Sequence, residues 1–494
     1  MRAVMLSTIF LSICSFGLSF ILTPLVRELA RRRYWFDHPD NYRKKHAMPV
    51  PRIGGVPILL AFVGSLSVLA FLSDNAAGEQ SLAWRLLPAS AVIFGLGLFD
   101  DLFGLTARQK LLGQILAASL ACWSGIQVQS LAGGTIASYI GIPLTIVWLV
   151  GCANALNLID GVDGLASGVG FTATAIILAA AYVYGDAQLF LAAIPLAGAL
   201  LAFLVFNWHP ATIFLGDSGS LWVGFVLGCF GVVWSQKAES MPAIAAPIVA
   251  LSVPLLDMGL SVVRRFLQLQ PIFRGDRNHI HHRLLERGLS PGRVTLILAL
   301  ASGLVGSLAL LQSWAPKEVG WVALGVWCVF VGMGLRELKY SEFGIAARLV
   351  RQNHLRSMVK ENLSLLRCEV ALKNAANAEE CWNAIRTVSS ECGFCAAALR
   401  LGRWTYDELP EQAGDQYTLH IPFSDSDYVQ LMCHFPSSAG PMVIGPLADL
   451  LRTVLSAKSA EFGAVQILPT KVMVAAAAQT SWARSEQVES VQQL

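Results

Sequence analysis

Charge is what this chain has least of. Asp, Glu, Lys and Arg make up 14% of its 494 residues, against roughly 25% in an average soluble protein. Hydrophobic residues make up 55%, and mean hydropathy is +0.56. That balance excludes an ordinary soluble domain. Paired cysteines are lacking too. The ten cysteines are scattered, and Cys14, Cys122, Cys152, Cys229 and Cys328 fall inside apolar runs, where Cys serves as a small apolar residue. Cys392-Gly-Phe-Cys395 has redox or metal spacing but no second pair, so two ordinary thiols fit it equally well. No internal repeat is present. No small-residue cleavage site is evident for the first apolar run, and its basic cluster follows it, so it is expected to be a span and not a cleaved signal.

What the chain has instead is apolar runs. A helix needs roughly 20 residues to cross a bilayer, and helices suit runs of this length. We read about eleven spans: Met5–Leu25, Val56–Leu72, Leu86–Phe99, Leu112–Ile126, Ile136–Cys152, Ser167–Tyr184, Leu189–Phe206, Ser220–Trp234, Pro242–Val263, Val294–Gln312 and Val319–Leu335. The fold class is therefore an all-α polytopic membrane protein. Arg27, Arg31, Arg32, Arg33, Arg43, Lys44, Lys45 and Arg52 follow the first span, which places that loop inside and the N-terminus outside. Alternation then puts Arg108, Lys110, Arg264, Arg265, Arg274, Arg277, Arg283, Arg287 and Arg293 inside. Only Arg85, Lys237 and Lys317 fall outside. The net charge of +3 follows from this bias, and an odd span count leaves the C-terminus in the cytoplasm.

Composition changes near Arg336. Residues 1–336 form the membrane region. Residues 337–478 are expected to be a small α+β cytosolic domain, with helices at Tyr340–Asn377, Ala378–Ser390 and Pro446–Phe462 and strands at Ala396–Arg400, Tyr417–Ile421 and Val429–Phe435. Residues 479–494 form a polar tail of disordered composition.

Nearly every unusual polar cluster falls on an inner loop. The first loop has His46, Pro49, Pro51, Arg52, Gly54 and Gly55. The second has Phe99-Asp100-Asp101, then Lys110 and Gln114. The third is Asn154–Ala166, NALNLIDGVDGLA. The fourth runs from Phe206-Asn207 to FLGDSGS (Phe214–Ser220). The fifth is DRNHIHHR, Asp276–Arg283. A transporter would place its ionisable groups near the midplane, whereas these sit at span ends. Each cluster also has a plain structural reading. Asp100-Asp101 could cap a helix; adjacent carboxylates also gain from a shared cation or a shared proton. Asp160 and Asp163, three apart, would share a helical face, yet each begins an Asp-Gly-type turn signal. Asp217 could be an N-cap in a Gly-rich turn or a metal ligand beside backbone that approaches phosphate closely. His279, His281 and His282 lie among arginines without a thiolate, which suits phosphate or sugar better than zinc. Oxygen ligands beside bases describe Mg²⁺ and phosphoryl transfer.

These motifs closely resemble the polyprenyl-phosphate N-acetylhexosamine-1-phosphate transferases, a resemblance that covers roughly residues 1–336. The histidine loop resembles the WecA/TagO-type branch. Met48-Pro49-Val50-Pro51-Arg52 stands where MraY-type members carry a Lys-x-Gly-Thr-Pro pattern. The resemblance implies transfer of N-acetylglucosamine 1-phosphate from UDP-GlcNAc to undecaprenyl phosphate, with release of UMP, at the bacterial inner membrane. It implies that Asp217 and Asn157 hold Mg²⁺, with Mn²⁺ as a substitute, and that Asp100, Asp101 and Asp160 are the catalytic or supporting acids. Lys110 would neutralise the diphosphate, Asp163 accept from uracil, and Phe214 stack on it. His279, His281, His282 and Arg283 would hold sugar and pyrophosphate, with Asn154 supporting and His46 and Arg52 near the lipid phosphate. The expected partners are the UDP-sugar and the polyprenyl-phosphate lipid, with no nucleic acid; a homodimer and a regulator of the C-terminal domain are further expectations. Another UDP-HexNAc, or UDP-MurNAc-pentapeptide, is the alternative substrate, and a multi-pass transporter the alternative of another class.

Overall fold

The computed structural model describes residues 2–37, 50–72, 81–131, 134–237, 251–267, 279–314, 325, 332, 355–408, 416–424, 426–434 and 441–464. The chain divides into two compact units. The first is Met1–Val263 with Phe273–Tyr340, and the second is Arg264–Ile272 with Ser341–Leu494.

The first unit is a helical bundle. Its helices are α1 (Arg2–Arg32), α2 (Gly55–Leu72), α3 (Ser81–Phe103), α4 (Ala107–Trp123), α5 (Ser138–Ile159), α6 (Leu165–Val183), α7 (Ala187–Asn207), α8 (Gly216–Lys237), α9 (Ser252–Leu267, which runs past the unit's edge), α10 (Ile280–Glu286) and α11 (Pro291–Trp314). Two short antiparallel ladders, β1 (Phe36–Asp37) with β2 (Val50–Pro51) and β3 (Ser130–Leu131) with β4 (Gly134–Thr135), close loops between them.

Among the described residues, seven helices are long and apolar enough to cross a membrane: α1, α3, α5, α6, α7, α8 and α11. Helix α2 is apolar but shorter, and α4 has 17 residues. The ninth expected span is described only from residue 251, and the eleventh, Val319–Leu335, lies almost wholly outside the described residues. Helix α3 starts at Ser81, five residues before the expected Leu86. Its first two turns include Leu82, Ala83 and Leu86, all fully buried, so packing extends the helix past the polar residues that mark its limit in sequence.

Helix α8 is the hub. It packs against α2, α3, α5 and α6, and Trp222, Phe225 and Phe230 along it are buried. Such enclosure needs close approach. A Cβ on Gly97 of α3 would lie 2.5 Å from the Asp217 carbonyl, so glycine is required where α3 crosses the first turn of α8. Around this hub, α1 lies on α2 and α7, α6 lies on α7, and α11 lies on α6.

In the second unit the described residues form an antiparallel sheet of order β6-β5-β8-β7 and three helices. The strands are β5 (Ala396–Leu401), β6 (Trp404–Asp407), β7 (Gln416–Pro422) and β8 (Tyr428–His434); the helices are α12 (Leu355–Asn374), α13 (Ala378–Glu391) and α14 (Pro441–Ala464). Its core joins Leu372, Ile385, Leu399, Leu431 and Leu451. Strand β6 is an addition to the three strands expected from sequence. The pairing Leu401↔Trp404 leaves Gly402-Arg403 as a two-residue turn, with Gly402 at φ +59°, a hairpin signal carried by one glycine. The nine described cysteines form no disulfide with one another, Cys392 being buried and Cys395 exposed.

Candidate active site

Four separate loops of the first unit converge on the N-terminus of α8. A helix start leaves unpaired N–H groups and a partial positive charge. Here Asp101, from the last turn of α3, accepts the Asp217 N–H through Oδ1 and the Ser218 N–H through Oδ2, both at 2.8 Å. Its side chain is 0% exposed. Charge-assisted bonds of this kind contribute about 1.5–3 kcal/mol each. Asp101 therefore seats α8 against α3. Gly216 precedes it at φ +76°, and a Cβ there would lie 2.7 Å from Asp101 Oδ2, so no other residue fits.

Asp217 is held from two sides. Arg52 Nη2 donates to its Oδ1 at 2.7 Å, and Lys110 Nζ to its Oδ2 at 2.6 Å. Arg52 Nε also lies 3.6 Å from Asp101 Oδ1. Lys110 forms a second, shorter ion pair with Asp100. Its position is set locally. Thr106 and Gln109 form a capping box that starts α4, one turn below Lys110. Asp100 Oδ1 accepts the Leu105 N–H at 2.6 Å, which fixes the link from α3 to α4. The flanking carboxylates hold the Lys110 ammonium above its usual value against the opposing effect of burial.

The third loop adds Asp160, directly after α5. Burial pushes its carboxyl well above the usual range, and Asp217 and Asp101 push the same way against Arg52 and the Gly216 N–H. Among the described residues, four carboxylates thus share two cations. Asn157 Nδ2 donates to Ser220 Oγ at 2.9 Å, and Ser220 Oγ donates to the Gly216 carbonyl. This fixes the Asn157 amide and leaves its oxygen without a hydrogen-bond partner among the described residues. Asn154 pairs with Gln114 in a reciprocal amide contact at 2.7 and 3.2 Å, which ties α5 to α4.

Asp163 stands apart from this group. Its Oδ2 meets His209 Nδ1 at 2.7 Å and the Ala211 N–H at 3.1 Å, while Oδ1 has no hydrogen-bond partner among the described residues. The turn is built on glycine, with Gly164 at φ +73°, so the turn reading of the Asp-Gly pairs and their place in the site hold together. Phe214 is half-buried, and its backbone pairs with Pro51 and Gly54, which brings the first and fourth loops together. The histidine loop arrives beside Gly161: a Cβ on that residue would lie 3.3 Å from His281 Nε2. His279 and His281 are buried, while His282 and Arg283 are half-buried on α10. His46 lies outside the described residues, as do Asp276–Asn278.

Two residues join these clusters that the motifs do not mark. His209 is the partner of Asp163, and Asp257 lies against His279 and His281. A signal for Asp257 exists, since it is a lone acid in the apolar run Ser252–Val263.

The oxygen donors Asp217, Asp100 and Asn157, with more carboxylates than cations around them, fit a hard divalent ion. No group of three or more His, Cys, Asp or Glu with a metal-holding arrangement occurs among the described residues.

Residues 83–235 match the model of glycosyl transferase family 4. A Bacillus subtilis (strain 168) protein named a probable undecaprenyl-phosphate N-acetylglucosaminyl 1-phosphate transferase is 30% identical over 344 residues, 67% of this chain and 94% of its own length. The chain belongs to glycosyl transferase family 4. Other relatives match it over most of their own length. The decaprenyl-phosphate N-acetylglucosaminephosphotransferase of Mycobacterium tuberculosis (strain CDC 1551 / Oshkosh) is 35% identical, over 62% of this chain and 83% of its own. The phospho-N-acetylmuramoyl-pentapeptide-transferase of Halalkalibacterium halodurans is 34% identical, over 61% and 96%. The family 4 match contains Asp100, Asp101, Lys110, Asn157, Asp160 and Asp217, the residues that meet at α8.

Proposed function

We propose that this protein transfers N-acetylglucosamine 1-phosphate from UDP-GlcNAc to a polyprenyl phosphate and releases UMP. The observation that carries this reading is the group of four carboxylates and two cations at the start of α8, in a family 4 chain. Two of the relatives named above carry undecaprenyl or decaprenyl phosphate in their names.

The chemistry asks little of an acid or base. An oxygen of the lipid phosphate attacks the phosphorus that carries the sugar. A new P–O bond forms, and the P–O bond to UMP breaks with its electron pair. A phosphate monoester is already largely ionised at neutral pH (second pKa about 6), and UMP leaves as an anion, so no proton has to move. Bringing two anions together is the barrier, and charge neutralisation and positioning lower it. Lys110 and Arg52 supply the positive charge, with Asp100 and Asp217 keeping both in place until the diphosphate arrives. Mg²⁺, when bound between Asp217 and Asn157, would add neutralising charge at the diphosphate. Asp163 offers its free Oδ1 to uracil, with Phe214 alongside, while His281, His282 and Arg283 face the sugar phosphate.

The finer topology belongs to the same proposal: eleven spans, an outer N-terminus, and the site on the cytoplasmic face of a bacterial inner membrane. Supporting it, residues from loops one, two, three and four meet at one end of the bundle, as loops on one side of a membrane must.

Membranes containing the full-length protein, supplied with Mg²⁺, undecaprenyl phosphate and a panel of UDP-sugars, test the reading. UMP release and lipid-linked sugar should be highest with UDP-GlcNAc. A higher rate with another UDP-HexNAc or UDP-MurNAc-pentapeptide would move the sugar assignment. No UMP from any donor would remove the transferase reading altogether.

A further inference from the structure

The histidine motif has an anchor in another helix. Asp257 of α9 is 1% exposed. Its Oδ1 accepts the Ile280 N–H, the first amide of α10, at 3.0 Å. The same oxygen lies 3.5 Å from His279 Nδ1, and Oδ2 lies 3.6 Å from His281 Nδ1. Ser261, one turn further along α9, places its Oγ 3.1 Å from His279 Nδ1. The two imidazoles stack with centroids 5.6 Å apart and planes 8° from parallel. One buried carboxylate therefore faces the Nδ1 edge of both rings.

That arrangement has a chemical consequence. A carboxylate only accepts hydrogen bonds, so the ring nitrogens facing it carry the protons and each Nε2 is turned outward. For His281 the outward direction is toward the Asp160–Gly164 turn, where a Cβ on Gly161 would lie 3.3 Å from Nε2. His281 Nδ1 and Asp257 Oδ2 are both buried 3.6 Å apart, and neither has a hydrogen-bond partner among the described residues. A buried charge set without its partner is costly, which keeps the two facing each other.

We propose that Asp257 is a positioning residue: by facing the Nδ1 edge of His279 and His281 as an acceptor it keeps the ring protons on Nδ1 and so aims their Nε2 atoms at the bound UDP-sugar. The proposal rests on the transferase reading above. Asp257 itself touches no substrate. A purely structural Asp257 would matter only as the cap of α10, a role that an Asn side-chain oxygen also fills.

Asp257→Asn in the full-length protein separates the two roles. The expected result is an unchanged Tm in detergent with kcat/KM for UDP-GlcNAc lower by about 10–100-fold, the range for residues that orient histidine from behind. Solid-state NMR of the ¹⁵N-histidine-labelled protein reads the tautomer directly. Of the nine histidines, His279 and His281 should show a protonated Nδ1 in the wild type and lose that signature in the variant, while His209, whose Nδ1 faces Asp163, should be unchanged. Absence of the two signals from the wild type overturns the proposal even if the variant fails to fold. Unchanged kcat/KM, or an unchanged histidine spectrum in a folded variant, overturns it too. Wild-type protein that releases no UMP sinks the transferase reading instead, and the spectrum still decides the tautomer.

Discussion

Asp217 and Asp427 are equally buried, each 3% exposed, and they are satisfied in opposite ways. Asp427, in the second unit, takes the Gly402 N–H at 3.0 Å, Ser426 Oγ at 3.2 Å and Ser459 Oγ at 2.6 Å. All are neutral donors on fixed positions, and together they tie the β5–β6 turn to α14. Asp217, in the first unit, is held by the ends of two long side chains, Arg52 and Lys110. Those side chains are 41% and 28% exposed. Neutral fixed donors make a joint; flexible cations around a carboxylate make a place where a ligand can be exchanged. Burial alone does not tell these apart, whereas the identity of the partner does.

The sharpest way to break the comparison is to remove Asp217. Asp217→Ala should lower UMP release by about a thousandfold or more, the scale of losing a main electrostatic group. The variant should also lose any Mg²⁺-dependent rise in Tm that the wild type shows. Residual turnover near wild type would make Asp217 as structural as Asp427. A wild-type Tm indifferent to Mg²⁺ would remove the metal assignment.

The sequence exposes the members of the α8 cluster but not their division of labour. Asp100-Asp101 stand out as adjacent carboxylates, yet nothing in the pair says which one is committed. The crossing of α3 over α8 decides it: Asp101 points into two backbone amides and Asp100 toward Lys110. Asn157 is legible as an oxygen ligand, but its orientation depends on Ser220, 63 residues away. His209 and Asp257 escape motif reading because each acts through a partner in another element, Asp163 and the His279–His281 pair. In the second unit three of four strands follow from β-rich runs, and β6 is short and mostly exposed, so it lacks the alternation that marks the others.

A smaller effect is expected at the other aspartate. Asp427→Ala strands the Gly402 N–H and two hydroxyls. The second unit should lose about 1–3 kcal/mol, the penalty for leaving such groups unpaired, read as faster hydrogen exchange across β5, β6 and α14. UMP release per folded molecule should not change. A parallel fall in turnover would mean that the second unit feeds into the reaction, and the division between joint and exchange site would fail.

The smallest effect concerns Asp160 and depends on pH. Burial and the neighbouring Asp217 and Asp101 raise its carboxyl well above the ordinary value, which is about 3.9. Folding therefore favours the protonated form. This contribution to stability is complete below about pH 4 and is lost as pH rises toward and through the raised folded value. Asn copies the protonated acid and does not titrate. The Tm of Asp160→Asn should match the wild type near about pH 4 and exceed it by a growing margin toward about pH 8. Parallel curves would mean that Asp160 is ionised in the resting protein. It would then join Asp217 as a standing negative charge at the head of α8, and the cluster would carry one more charge for a cation to meet.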